Sequence, residues 1–208
     1  MPAQKLRAII FDIGRVLVAL DVSAAMAGLA VPAHLTPQQV WVAIESHPCW
    51  RDWQEGRLSP REWHRQLSQR LGEDLAFEQF CEAWNRTLVS EPILPDELFP
   101  RLSRRFLLAV LSNTDPLHVA HLEAQFPVLR HFPQRIYSCR VGACKPDPLI
   151  YKEVLRACGV CADEALYIDD VATYVQAAQR LGLDGIVLES AAQRQAELAA
   201  RGLLTALA

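Results

Sequence analysis

The sequence predicts an α/β protein in three layers, helices covering both faces of a parallel sheet, with a separate helical bundle inserted after the first strand. Three observations carry that expectation. Short, almost uninterrupted apolar runs recur along the chain, the habit of strands buried on both faces. Helical patterns alternate with them in the order of βαβ units. One long segment breaks the alternation: it holds all five tryptophans (Trp41, Trp50, Trp53, Trp63, Trp84) and two legible helix starts, but no strand signal.

The first strand is Ala8–Phe11, inside the run AIIFDIGRVLV. Between about Leu20 and Glu91 only helices are expected. Thr36-Pro37-Gln38-Gln39 reads as a capping box with proline at the first helical position, and Leu35 and Val40 can form the hydrophobic staple. Ser59-Pro60-Arg61-Glu62 repeats the device. Tryptophan-rich packing within this segment suits a small bundle with its own core. Glu91–Asp96, rich in proline and acids, is expected to be the return crossing.

Further strands are expected at Phe106–Leu111, Leu166–Ile168 and Ile186–Leu188, with a weaker one at Arg135–Cys139. Helices fall between them at Pro116–Phe126, Pro148–Ala157 and Val171–Leu181. Asp115 and Asp147 stand where N-caps belong, and Gly182 where a helix-ending glycine belongs. The expected division is a core of residues 1–19 and 92–208 and a helical cap of residues 20–91.

Bulk properties narrow the partners. Of the 208 residues, 51% are apolar and 22% charged, as in ordinary globular proteins, so neither disorder nor a fibrous repeat is indicated. The net charge of −3 and the lack of a Lys/Arg block argue against nucleic acid and against a polybasic membrane patch. Asp12 and Arg15 interrupt the apolar N-terminus, and no run approaches the ~20 residues of a membrane span. A cytoplasmic protein with a small diffusible partner is expected, its oligomeric state open. The six cysteines are too sparse for a disulfide scaffold and read as thiols. Cys158 and Cys161 have the spacing of a redox or zinc pair, but the KPDP segment separating them from Cys139 and Cys144 has its own explanation.

Four polar clusters stand where the expected core strands stop: Asp12, then Ser112-Asn113-Thr114, then Lys145-Pro146, then Asp169-Asp170. In open parallel sheets ligands bind at the carboxyl ends of strands, so the four should converge on one site. Three carboxylates repel one another unless a cation joins them. An all-oxygen set of this kind suits Mg²⁺ with a phosphate completing its shell, while Ser112 and Lys145 offer a hydroxyl donor and a positive charge to phosphate oxygens. Asp170 could alternatively cap the helix that follows, and Ser112 the helix at Pro116.

DIGRVLV, LSNT, KPD and YIDD, in this order and with a helical insertion after the first, resemble the four motifs of the haloacid dehalogenase-like hydrolases over the whole chain. HPCWRDWQEGRLSPREW and KPDPLIYKEVL are further similar to that family's bacterial sugar-phosphate phosphatases, such as the alpha-D-glucose-1-phosphate phosphatases of the YihX type. The resemblance implies a Rossmann-like core with a cap, and Mg²⁺-dependent hydrolysis of a small phosphorylated metabolite, a sugar phosphate in that group. It implies that Asp12 is the nucleophile, that Ser112 holds the phosphoryl group with help from the Asn113 amide, and that Lys145 offsets charge between them. Asp12, Asp169, Asp170 and the Gly14 carbonyl would hold Mg²⁺.

Two positions depart from the family pattern. Gly14 stands where most of the family's phosphatases carry an aspartate that protonates the leaving oxygen and then activates water. Tyr174 stands where near relatives tend to have asparagine. The turn Glu45–Trp53 concentrates His47, Trp50, Arg51 and Trp53, a mixture suited to a sugar ring and its hydroxyls, and His47 is a candidate for the missing proton donor. The other histidines read as surface or helix-face residues. Metal-independent 2-haloacid dehalogenation and a scaffold that only binds are the alternatives, the second supported by Gly14 and Tyr174.

Overall fold

The computed structural model describes residues 6–73 and 75–188, with positions 197, 201 and 203. The strands are β1 (Ala8–Phe11), β2 (Val18–Leu20), β3 (Leu88–Pro92), β4 (Leu107–Ser112), β5 (Gln134–Tyr137), β6 (Ala165–Asp169) and β7 (Asp184–Val187). The helices are α1 (Val22–Ala30), α2 (Pro37–Glu45), α3 (Trp50–Gln54), α4 (Pro60–Leu71), α5 (Phe77–Asn85), α6 (Leu98–Ser103), α7 (Pro116–Gln125), α8 (Ser138–Val141), α9 (Pro148–Cys158) and α10 (Ala172–Arg180).

Five strands form one parallel sheet in the order β5-β4-β1-β6-β7. Successive side chains of a strand point to opposite faces, and the two sides of this sheet bury different sets. Ile9, Phe11, Leu108, Val110, Leu166 and Ile168 join one cluster with Phe99, Val119 and Leu122 from α6 and α7. Ala8, Ile10, Ala109, Leu111 and Tyr167 join the other with Ile150 and Val154 from α9 and Val175 from α10. This is the expected three-layer Rossmann-like arrangement. All four residues of β1 are fully buried, which is why the run carries no polar residue until Asp12.

Helices α1 to α5 share a third apolar cluster that includes Met26, Val40, Ile44, Trp53, Trp63, Phe80 and Trp84. Trp53 and Trp63 are both 0% exposed and stacked with ring centroids 5.8 Å apart. A buried tryptophan removes about 150–250 Å² from water, about 4–6 kcal/mol of transfer free energy each. Both predicted capping boxes are formed, Thr36 with Gln39 and Ser59 with Glu62. Helix α4 ends at Gly72, whose φ of 75° is left-handed.

One expectation needs correction. The segment from Leu20 to Glu91 is not free of strands: β2 and β3 pair antiparallel, with Leu20 opposite Leu88 and Ala19 opposite Val89. A two-stranded ribbon with a register shift and a partly exposed face has neither the alternation nor the apolar run by which strands are recognised. The chain thus enters and leaves the helical segment along one ribbon. Among the described residues no helix is long and apolar enough to cross a membrane.

Candidate active site

Because the five sheet strands are parallel, their carboxyl ends share one edge, and the chemistry-bearing residues sit there. Asp12 follows β1, and its N–H donates to the Ile168 carbonyl at 2.8 Å. Ser112 is the last residue of β4 and Asp169 the last of β6. Lys145 arrives from the loop before α9, a helix capped by the Asp147 side chain. Next to Asp12 the chain curls tightly: Leu17 and Val18 N–H both donate to Ile13 O at 2.9 Å, and Arg15 adopts a left-handed φ of 56°.

Lys145 is the centre of the cluster. Its Nζ donates to Asp12 Oδ1 at 2.6 Å, to Asp169 Oδ2 at 2.7 Å and to the Leu111 carbonyl at 3.3 Å, and the residue is only 4% exposed. Asp169 is fully buried; Tyr167 Oη donates to its Oδ2, and the Val171 N–H to its Oδ1 at 2.7 Å. Helix α10 is capped by Val171 without a side-chain bond, so Asp170 does not serve as its cap. Asp170 turns instead to Arg15, at 3.5 Å. Nor does Ser112 cap α7; Asp115 does, accepting from Leu117 and His118 N–H.

Oxygens of Asp12, Asp169 and Asp170 lie within 4.8 Å of one another, and among the described residues these acids form the one three-residue group of His, Cys, Asp or Glu able to hold a metal. The donor set is all oxygen, which fits a hard cation such as Mg²⁺. Burial pushes the Asp12 carboxyl up to about 6, partly opposed by the Lys145 charge. Burial disfavours the Lys145 ammonium, but Asp12 and Asp169 outweigh it and hold the group protonated well above its ordinary range. Asp170 is likewise raised, by burial first and then by the Asp169 charge. The cysteines are free thiols.

Over this cluster lies a cavity of about 420 Å³ whose far wall comes from the helical segment, including Met26, Trp41, Trp50 and Trp84. Asp12, Gly14, Ser112, Asn113, Lys145, Asp169, Asp170 and Tyr174 all line it. The structure places three of the expected substrate contacts as follows, Asn113 in the cavity wall and His47 and Arg51 outside it. The Asn113 side chain accepts from Lys145 N–H at 2.7 Å and donates to Lys145 O at 3.1 Å, so it fixes the loop that delivers the lysine. His47 is not among the lining residues: Nδ1 accepts from the Cys49 N–H at 3.1 Å and the ring packs edge-on against Trp63. Arg51 is ion-paired with Glu55 at 2.8 Å, with its side chain 69% exposed, and borders a neighbouring depression instead. Only Trp50 of that turn enters the cavity, since a helix of five residues spreads adjacent side chains to different sides.

His118, which reads from sequence as a helix-face residue, is half-buried and lines the cavity. Its Nδ1 lies 2.9 Å from Asp115 Oδ2 and its Nε2 3.1 Å from the Trp84 carbonyl. Both partners are acceptors, and although burial disfavours the charged ring the Asp115 carboxylate outweighs it, so the arrangement favours the imidazolium form. Trp84 Nε1 donates to the same Asp115 at 3.1 Å, and the network ties α7 to α5. A lone histidine three residues after a capping aspartate gives no signal of this, because the partner tryptophan is distant in sequence.

The family model for haloacid dehalogenase-like hydrolases matches residues 6–182. The chain belongs to that family. Among curated relatives, the D-ribitol-5-phosphate phosphatase of Bacteroides thetaiotaomicron is 23% identical over 196 residues, covering 91% of this chain and 95% of that protein. Among solved structures, the haloacid dehalogenase family enzyme bt-2542 of Bacteroides thetaiotaomicron, in complex with magnesium and inorganic phosphate, superposes with a TM-score of 0.79 at 23% identity, covering 88% of this chain and 93% of that one. An L-2-haloacid dehalogenase of Xanthobacter autotrophicus with chloropropionic acid covalently bound gives a TM-score of 0.64 at 20% identity, covering 94% and 83%. These likenesses establish the fold of this member of the family. The similarity to alpha-D-glucose-1-phosphate phosphatases stays one of motifs; a relative that spans most of the chain is named for D-ribitol 5-phosphate.

Proposed function

We propose that this hydrolase is a Mg²⁺-dependent phosphatase that cleaves a small phosphomonoester through an aspartyl-phosphate on Asp12. The observation that carries the reading is the buried Lys145 ammonium between Asp12 and Asp169, with Asp170 completing a three-acid cluster at the carboxyl edge of the sheet. A nucleophilic carboxylate must be ionised, and at neutral pH a group titrating at about 6 is. Lys145 holds Asp12 in place and offsets the charge of an incoming phosphate. Ser112, 5% exposed at the end of β4, offers its hydroxyl to a phosphoryl oxygen. Asp12, Asp169 and Asp170, with the Gly14 carbonyl, would hold Mg²⁺, which when bound neutralises phosphate charge and aligns it for in-line attack. Transfer to Asp12 splits one hard hydrolysis into two easier steps. Residues 1–19 and 92–208 act as the core in this reading and 20–91 as the cap that shields the first step from water.

Asp12→Asn should abolish Mg²⁺-dependent phosphate release from phenyl phosphate and from sugar phosphates while the circular dichroism spectrum is kept. Release retained by this variant defeats the assignment. The dehalogenase neighbour shares the fold, but a metal-independent reaction has no use for the three-acid cluster; chloride release from a 2-haloacid in the presence of chelator would reverse that preference. Absence of release from every ester leaves the binding scaffold.

A further inference from the structure

Two side chains from unlike elements crowd the reacting groups. Leu20 of β2 stands beside Asp12: a Cβ added at Gly14 would lie 3.9 Å from Asp12 Oδ2 and 3.0 Å from Leu20 Cδ1. Tyr174, the third residue of α10, stands beside Lys145, with the ammonium 5.0 Å from its ring centroid. Tyr174 is one of the two departures from the family pattern, and the chemistry of the acid cluster does not by itself need it.

We propose that Tyr174 is a positioning residue: its ring, rather than its hydroxyl, holds the Lys145 ammonium against Asp12 and Asp169 and keeps water from it. The role in turnover rests on the phosphatase reading, while the contact itself does not.

Lys145 Nζ directs its three N–H groups to Asp12, Asp169 and the Leu111 carbonyl. Beyond those bonds it meets two rings, Tyr167 at 5.8 Å and Tyr174 at 5.0 Å, both inside the range of a cation–π contact. The two rings are not equivalent. Tyr167 is fully buried and its hydroxyl is bonded to Asp169. Tyr174 is half-buried and lines both the cavity and the neighbouring depression, so its ring stands on the side from which water arrives. An ammonium is a strongly hydrated point charge, and water reaching it would compete with both carboxylates. The tyrosine is itself held in place. Its carbonyl accepts from Tyr151 Oη at 2.9 Å, and its hydroxyl meets the same Asn113 side chain that grips the Lys145 backbone.

Turnover gives such a partner its use. In the proposed reading a carboxylate oxygen of Asp12 bonds to phosphorus as the ester P–O bond breaks, the leaving oxygen keeping the electron pair and taking a proton from water. Asp12 is then no longer a free carboxylate, and Lys145 has lost part of the charge that holds it. The Tyr174 ring is the same before and after, so it keeps Nζ in place until water cleaves the aspartyl-phosphate, releases inorganic phosphate and restores Asp12.

The test has one readout that needs no turnover. Lys5, Lys145 and Lys152 are the three lysines of the chain, so a ¹H–¹⁵N spectrum of its ammonium groups holds few signals, and the one lost in Lys145→Met is that of Lys145. Protons over a ring face are shifted upfield. Tyr174→Leu should move the Lys145 signal downfield or broaden it away by exchange with water, and Tyr174→Phe should keep it upfield and sharp. The second readout is kcat/KM for Mg²⁺-dependent phosphate release from phenyl phosphate, with Asp12→Asn as the blank. Tyr174→Leu should lose about tenfold, and Tyr174→Phe, which returns the ring without the hydroxyl, should recover most of that loss. Tyr174→Met repeats the comparison with a second ringless side chain, and circular dichroism checks that each variant is folded. An unmoved Lys145 signal in the folded ringless variants, or full activity in them, overturns the proposal. So does a Tyr174→Phe as poor as Tyr174→Leu, which would give the role to the hydroxyl. Wild-type release no greater than the blank overturns the phosphatase reading and with it the role in turnover, whereas an upfield signal that depends on the ring still establishes the contact.

Discussion

Replacing Lys145 by methionine removes the ammonium and keeps an unbranched chain of similar length in a packed site. In the wild type Nζ joins Asp12 and Asp169 at 2.6 and 2.7 Å. Without it, two carboxylates with oxygens inside 4.8 Å of each other face one another unscreened. At that separation and an effective dielectric of about 20, their repulsion is about 3.5 kcal/mol. Breaking a buried ion pair from one side costs about 3–5 kcal/mol in other proteins, so the two routes agree. Asp12 is already raised from 3.8 to about 6, and losing the lysine raises it further. A carboxyl raised in the folded state penalises its charged form, so stability falls as pH climbs from 3.8 through the raised value. The loss in Lys145→Met should therefore be about 3–5 kcal/mol at pH 8 and smaller at pH 5. Mg²⁺ should stabilise the variant more than the wild type at pH 8, because it replaces the missing positive charge. Urea unfolding at both pH values, with and without Mg²⁺, reads all of this. A loss under about 1 kcal/mol at pH 8, or one independent of pH, would show that the lysine does not hold the acids together.

Gly56 has a φ of 71°, and a Cβ there would come within 2.0 Å of the Cys139 carbonyl, whereas Gly72 has a φ of 75° with nothing within 4 Å. Gly72→Ala should therefore cost only the left-handed strain of about 1–2 kcal/mol, and Gly56→Ala a further 1–3 kcal/mol or so from overpacking; equal shifts in melting temperature would refute the contact. Burial opposes the charged forms of both Asp115 and His118, but their mutual attraction wins, lowering Asp115 and raising His118. The pair's contribution should be lost as pH rises from 6.5 through the raised His118 value, and again as pH falls below 3.8 through the lowered Asp115 value; if His118→Asn melts with the wild-type pH profile, the imidazolium assignment fails. Gly14→Asp should raise turnover of ribitol 5-phosphate by about 10²-fold and that of phenyl phosphate far less, with Leu20 rotating aside; no change with either ester would mean that protonation does not limit the rate.

What could be read from the sequence follows from what each residue contradicts. Asp12, Ser112 and Asp169 stand out because each ends or adjoins an apolar run that has no other reason to carry a polar group there, and Lys145 because it stands just before the Asp147 cap of α9. The parallel sheet then brings them together whatever the details of the loops. Thr36 and Ser59 were legible because capping is local. His47 and Arg51 do not join Trp50 in the cavity wall because neighbours in sequence are not neighbours in space on a short helix, and both find partners within their own turn. His118 and the Leu20 contact at Gly14 depend on tertiary pairing of α7 with α5 and on the β2–β3 ribbon, neither of which leaves a periodic trace. The ribbon itself was invisible because its pairing, not its composition, makes it a strand.

That ribbon has a further consequence for how the chain can change. With Leu20 directly opposite Leu88, the two ends of the helical segment are already tied at one point, as the ends of a handle are. From the sheet's side, residues 21–87 can be exchanged for a tight turn or for a different bundle without moving β1 or β4, since closing a longer or shorter loop between fixed ends changes the free energy only logarithmically with length. In the proposed reading, substrate choice and the chemistry of Asp12 therefore sit on pieces of chain that can be altered one at a time, joined through the same few backbone hydrogen bonds.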